Sequence, residues 1–208
     1  TNTPNSYGAE VTVNGNWTLG EGGVVHVTCD PDNGAITKII ANGNLSIAEG
    51  ARVDSDMGGY RYGPGSAKNY SPGPSHGGRG SGGAWPKATY GSEKEPVTPG
   101  SGGGQVGNDG YSYSYGGGVV LLEVANKLTL DGTISADSNR KWGGSYFSPG
   151  SGGSVNIRAF RLSGNGTISA SGGVSSKYGG TATEGDLKNG LAAGGGGRIA
   201  VRVNPYGC

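Results

Sequence analysis

The side chains able to do chemistry in this chain are few and widely spaced. Two carboxylate pairs stand out, Asp30-Pro31-Asp32 and Asp54-Ser55-Asp56. Asp30 and Asp32, followed by Asn33 and Gly34, resemble the opening of a calcium loop, with oxygen ligands at alternate positions and a glycine for the turn. The later bidentate carboxylate is missing. Asp-Pro-Asp-Asn-Gly is better read as a plain turn, so Asp30 and Asp32 make only a weak calcium candidate and no metal or cofactor is expected. Asp54 and Asp56 share one side of a strand end, where solvated surface carboxylates are the usual outcome. His26, in a valine-rich strand, and His76, in a Gly/Pro tract, stand apart without a Cys-x-x-Cys, which gives no zinc constellation. Gly194 to Gly197 lacks the Lys-Ser/Thr that completes a phosphate cradle. With neither paired carboxylates nor a nucleophile elbow placed for catalysis, the chain reads as a non-enzyme.

Binding and modification chemistry is better represented. Cys29 and Cys208 stand near opposite ends of the chain. Either they bridge, closing a long loop in an oxidising compartment, or one is a buried thiol and the other a terminal one. N-x-S/T sequons fall at Asn16, Asn44, Asn69 and Asn165, and become glycan acceptors if the source is eukaryotic. Tyr60, Tyr62, Tyr70, Trp85, Tyr90, Tyr111, Tyr113 and Tyr115 would form a stacking surface for sugar rings, with Tyr111, Tyr113 and Tyr115 on one face of an extended stretch. The competing reading, and the favoured one, is that these rings cover a glycine-bare flank or meet a neighbouring subunit.

Behind these residues stands an unusual composition: 47 glycines in 208 residues, and a formal net charge of +1. So many residues without side chains exclude a helical bundle. The near-neutral balance argues against nucleic acid as a partner, and no apolar run is long enough to span a membrane. Thr1-Asn2-Thr3-Pro4 has neither the basic start nor the apolar stretch of a leader and reads as a processed or artificial boundary.

An internal echo sets the expected architecture. Leu128-Thr-Leu-Asp-Gly-Thr-Ile-Ser-Ala136 is matched by Leu162-Ser-Gly-Asn-Gly-Thr-Ile-Ser-Ala170, 34 residues later, with a looser copy at Leu45 to Val53. A second segment type, Gly-Gly followed by an alternating aliphatic strand, occurs at Gly22–Thr28, Gly117–Val124, Gly152–Ala159 and Gly196–Val203. Period-two alternation puts one face inward, and stacked copies would lay aliphatics over aliphatics. The pattern predicts an all-β protein, a right-handed parallel β-helix or β-solenoid, with a β-sandwich as the alternative. The expected organisation is a single domain: an N-terminal arm and strand over 1–13, first β-coils over 14–57, a Gly/Pro/Tyr-rich insertion over 58–118 packed on the solenoid, and C-terminal β-coils over 119–208. The insertion holds 20 of the glycines and seven of the eleven tyrosines, which predicts an ordered irregular covering.

Gly-Thr-Ile-Ser-Ala, the Gly-Gly-Ser-Val-x-Ile stretch and the closing Gly-Gly-Gly-Gly-Arg-Ile-Ala-Val together resemble the glycine-rich β-helical modules of large secreted or surface proteins of bacteria and protists. The likeness runs from Gly116 to Val203, is looser around Tyr90 to Pro96, and is weak before residue 44. It implies an extracellular or cell-surface, structural or adhesive setting and carries over no catalytic residue. One departure is length, since such modules sit inside very long chains.

Glu10-Val11-Thr12-Val13 is a strand without a partner in the repeat scheme. It is expected to add to a neighbouring copy, making the chain a self-associating subunit of a fibre or matrix. A carbohydrate-binding or adhesive module and a β-helix polysaccharide lyase are the alternatives.

Overall fold

The computed structural model describes residues 7–66, 73–81, 87–103, 114–138, 149–174 and 192–204. Asn69, Trp85, Tyr111, Tyr113 and Cys208 lie outside them, as does Tyr70. The described residues hold eleven strands: β1 (Tyr7–Val13), β2 (Trp17–Leu19), β3 (Val24–His26), β4 (Ile36–Ala41), β5 (Leu45–Ile47), β6 (Arg52–Asp54), β7 (Val119–Leu130), β8 (Thr133–Ser135), β9 (Ser154–Ser163), β10 (Thr167–Ser169) and β11 (Arg198–Val203).

These strands form two parallel sheets. In the larger, β4 and β5 both pair with the long strand β7, which pairs on its other edge with β9. The strands β1, β2 and β11 close the three remaining positions. The smaller sheet runs β10-β8-β6-β3. The repeat echo is realised as register: Leu128 lies opposite Leu162, Ile134 opposite Ile168, and Leu45 and Val53 opposite Leu128 and Ile134.

The expected right-handed parallel β-helix is corrected by this topology to two parallel sheets, with no closed barrel and no helix among the described residues. Evenly sized coils are not what the chain uses. Along the ladder Val11–Ile39–Leu122–Ile157–Val201, successive members are 28, 83, 35 and 44 residues apart. Parallel pairing fixes only the strands, and the returns between them can be of any length that reaches back. The β-sandwich alternative fails as well, because among the described residues every ladder between strands is parallel and the antiparallel contacts are isolated bridges from Ser81 and Val174 to Ala193. One repeat copy is also reassigned. Gly22–Thr28 contributes β3 to the smaller sheet, whereas its three lookalikes contribute β7, β9 and β11 to the larger one. A Gly-Gly start and period two are common to strands of both sheets and do not tell them apart.

The core lies between the sheets. Ile39, Leu122, Val155 and Ile157 from the larger sheet pack with Val53 and Ile134 from the smaller, and Leu45, Ile47 and Leu128 complete the cluster. Each such side chain contributes roughly 1.5–3 kcal/mol on burial. A second, smaller cluster of Cys29, Ile36, Val119 and Leu121, closed by Val97, sits on the opposite face of the larger sheet. Both faces of β7 are therefore buried, and its first six residues read as a nearly continuous apolar run.

That outer face is covered by glycine-rich backbone with no strand pattern of its own. Gly100 N donates to Gly117 O, Gly117 N to Ser151 O, Gly152 N to Gly195 O and Gly195 N to Pro74 O, so extended segments from five parts of the chain bond laterally to one another. A Cβ at Gly117 would collide with the carbonyl of Ala136, and one at Gly153 with the carbonyl of Gly118. Glycine is required here because the backbones approach too closely for any side chain. Of the span 58–118, Pro74, Gly100 and Gly117 belong to these segments, and Ser151, Gly152 and Gly195 come from later in the chain.

Candidate functional site

Where the ladders run out, their aliphatic side chains are left uncovered. The outer edges of β1 and β11 carry no strand among the described residues. Along one ladder Val11 is 47% exposed and Val201 36%, while Ile39, Leu122 and Ile157 between them are at most 1% exposed. Ile199 and Val203, beside Val201, are 47% and 50% exposed. Val24 on β3 and Leu162 on β9 are exposed in the same manner. Glu10 to Val13 were expected to lack a partner within the chain. They have one: Glu10, Val11, Thr12 and Val13 pair with Lys38, Ile39, Ile40 and Ala41 of β4, and only the far edge of β1 carries no strand among the described residues. The repeat scheme concealed this because the copy that β4 belongs to starts without a Gly-Gly.

Away from the core, the larger sheet carries charge in register. Glu123 of β7, Arg158 of β9 and Arg202 of β11 lie opposite one another. Lys38 binds Glu123 at 2.9 Å. Glu95, from the glycine-rich covering, reaches Arg158 at 2.7 Å and Arg202 at 2.9 Å, and accepts from Asn156 Nδ2. Partial desolvation pushes the Glu95 carboxyl up, but the hydrogen bonds from Arg158 and Asn156 and the two guanidinium charges outweigh it and hold the group below its ordinary value. Ser154 Oγ donates to Thr98 O beside it. Residues 95–98 thus strap the covering to the sheet. Sequence reasoning missed the strap, although a signal was present: the aligned strands Val-Asn-Ile-Arg-Ala and Ile-Ala-Val-Arg-Val place two arginines side by side, and stacked like charges call for a counter-ion.

The smaller sheet places His26, Asp54, Ser135 and Ser169 in one row facing away from the core. Asp54 was expected to be a solvated carboxylate and is instead buried, 2% exposed, held by His26 Nδ1 and by Arg52 Nε at 2.9 Å. Stacking does this: a strand lies on either side of β6, so a position that an isolated strand would leave in water is enclosed. The three residue types of a hydrolytic triad are present in an order that disables it. Asp54 stands between His26 and Ser135, leaving histidine and hydroxyl two strand spacings, roughly 10 Å, apart. Asp56, in the next row, accepts from the Asp137 amide at 2.8 Å, and burial pushes its carboxyl up. Asp137 in turn accepts from Ser169 Oγ at 2.6 Å.

His76 is fully buried where the covering meets β9 and β11. Its Nδ1 is 2.7 Å from Gly152 O and its Nε2 is 3.1 Å from Thr98 Oγ1, so the ring donates from Nδ1 and accepts at Nε2. Burial, with help from the nearby Arg198 charge, lowers its pKa to about 4. The ring leans on Tyr90, whose hydroxyl donates to Pro99 O at 2.7 Å and lies 2.8 Å from Ser101 Oγ. Tyr60 and Tyr90 are therefore covering rings, packed inward. The exposed Asp30 caps its own turn, with Oδ1 accepting from the amides of Asn33 and Asp32, and these bonds lower its pKa. Asp32 lies in the same turn. Among the described residues no group of three or more His, Cys, Asp or Glu side chains could hold a metal ion.

Cys29 is a buried free thiol whose burial pushes its pKa up to about 12. It lines a small open cavity of about 200 Å³ with Thr28, Pro31, Met57, Gly58, Gly59 and Tyr115. Asn16, Asn44 and Asn165 sit on exposed turns. Asn16 Oδ1 accepts from both the backbone and the side-chain amide of Asn44, an asparagine ladder at the corner between sheet segments. No helix of the described residues is long and apolar enough to cross a membrane. No family model matches this chain, and no curated protein or solved structure matches it.

Proposed function

We propose that this chain is a non-catalytic structural building block that associates end to end with further copies of itself in an extracellular fibre or matrix. The observation that carries the reading is the pair of ladder ends left uncovered among the described residues, Val11 at one rim and Ile199, Val201 and Val203 at the other, on strands whose outer edges no described strand pairs with. Unpaired strand edges over apolar side chains are what another chain pairs with. The acids and histidines that would have served catalysis are tied into turns and rows, which supports a scaffold over an enzyme. An extracellular setting rests on the resemblance to secreted glycine-rich modules, and the exposed turns at Asn16, Asn44 and Asn165 would accept glycans there. Sedimentation velocity and negative-stain imaging over a concentration series test the reading. The chain should form extended particles whose length grows with concentration. Val201→Lys and Val11→Lys, which end the apolar ladder in a charge at either rim, should each leave monomers. Extended particles that persist in both variants would defeat the proposal.

A further inference from the structure

The two rims differ in charge. The rung at the β1 end, residues 7–34, carries Glu10, Glu21, Asp30 and Asp32 and contains no lysine or arginine. At the opposite end, the described residues beyond Ala159 carry Arg161, Arg198 and Arg202 and no carboxylate. Glu93, 3.6 Å from Arg198, Glu95, shared between Arg158 and Arg202, and Glu123, 3.5 Å from Arg158 and 2.9 Å from Lys38, are the acids alongside, so three arginines and Lys38 face three carboxylates. We infer that the open edge of β11 takes the β1 edge of a second copy in parallel, seating Glu10 of that copy between Arg198 and Arg202. This rests on the end-to-end reading above and specifies which edges meet and in what register.

Register follows from continuing the existing ladders. Val11, Ile39, Leu122, Ile157 and Val201 share one inward column, and Val13, Ala41, Val124, Ala159 and Val203 the next. A second copy laid on β11 in the same register puts its Val11 over Val201 and its Val13 over Val203, covering the exposed aliphatics of both rims at once. Its Glu10 then falls opposite Ala200 on the outward face, flanked diagonally by Arg198 and Arg202. Cross-strand diagonals are within reach of long side chains, and an arginine has donors to spare beyond one partner. The same arrangement already exists inside the molecule, where the Glu95 carboxylate spans the arginines of two adjacent strands. A one-residue slip would turn Val11 and Val13 outward and Glu10 into the core, so the register is strongly specified. Because the joined edges are different, the contact does not close on itself and propagates as a polar filament.

Charge reversal and rescue test this contact. Glu10 and Ala200 lie on strands four spacings apart, roughly 19 Å, and cannot meet within one molecule. Glu10→Lys should weaken association roughly tenfold by sedimentation equilibrium, and Glu10→Gln less, since the rim charges act mainly on encounter and register. The double variant Glu10→Lys/Ala200→Glu should restore association toward the wild-type level, and because Glu10→Lys also faces Lys38 within the chain, circular dichroism melts should show both Glu10→Lys variants folded and shifted alike. Association of the wild type should fall as NaCl rises from about 50 to about 500 mM, as screening shortens the reach of the charges. If the wild type assembles but Glu10→Lys does not weaken it, or the double variant gives no rescue, this contact is overturned and the end-to-end reading stands. A wild type that remains monomeric at every concentration overturns both.

Discussion

His76 joins the glycine-rich covering to the sheet through both ring nitrogens; a second proton at Nε2 leaves the Nδ1 bond to Gly152 O in place but removes the acceptor for Thr98 Oγ1 and puts a charge in a buried site near Arg198. In the unfolded chain the ring takes up that proton near pH 6.5, whereas in the folded protein it stays neutral down to about pH 4. Between those values the unfolded state binds more protons, so stability is full above pH 6.5 and falls as the pH is lowered toward 4, by on the order of 3 kcal/mol in all. Urea midpoints measured between pH 7 and 5 should show this slope, and His76→Asn should flatten it. The carboxylates of lowered pKa, Glu95 and Asp30, begin to lose their contribution only as the pH falls through their unfolded values of 4.5 and 3.8, beneath the pH 7 to 5 range in which the His76 slope is measured. A slope unchanged by His76→Asn would assign the effect elsewhere. Cys29, with its thiol pushed up to about 12, should react with iodoacetamide only after unfolding, since the thiolate is the attacking species.

At the scale of elements, the sheets and their covering depend on different things. The sheets are held by aliphatic columns, and the covering by close backbone contacts that only glycine permits. Gly117→Ala or Gly153→Ala, each forcing a methyl into a carbonyl, should cost roughly 2–3 kcal/mol in urea unfolding. Gly20→Ala is the control: nothing lies within 4 Å of its Cβ position, and it should be neutral to within about 0.5 kcal/mol. Comparable losses at Gly20 and Gly117 would show that close packing is not the reason for the glycines. The columns were legible beforehand, since Leu128 with Leu162 and Ile134 with Ile168 align wherever the repeat does. The covering was not, although the chain states it twice: Pro99-Gly-Ser-Gly-Gly103 and Pro149-Gly-Ser-Gly-Gly153 are identical, and Ser101 and Ser151 of the two copies bond to each other. Glycine repeats carry no hydrophobic periodicity, so a search for alternation passes over them.

For the whole molecule, parallel strands brought together across 83 residues between Ile39 and Leu122 mean that the central ladder must be closed at a high cost in chain entropy. Topologies of that kind fold slowly and expose strand edges while they do so. Among the described residues the outer edges of β1 and β11 in the larger sheet, and of β3 and β10 in the smaller, stay unpaired by any strand. Hydrogen exchange should then separate the middle of the molecule, β7 and the first half of β9, where amides are protected to the global limit, from the outward amides of β1 and β11. Those rim amides should gain protection with increasing protein concentration if the ends join, and exchange at a constant rate if they do not.

By itself the sequence determined the strand periodicity, the pairing of the Leu128 and Leu162 copies, and the all-β class, because each of these follows from local alternation and from like residues recurring at like positions. Only the tertiary structure decided that the ladders divide into two parallel sheets, that β1 pairs with β4, that Asp54 is buried against His26 and Arg52, and that Glu95 straps two arginines. Each of these is a property of which segments become neighbours. Connections of 28 and 83 residues deliver strands to the same ladder equally well, and nothing in a strand's own alternation says which neighbour it will have.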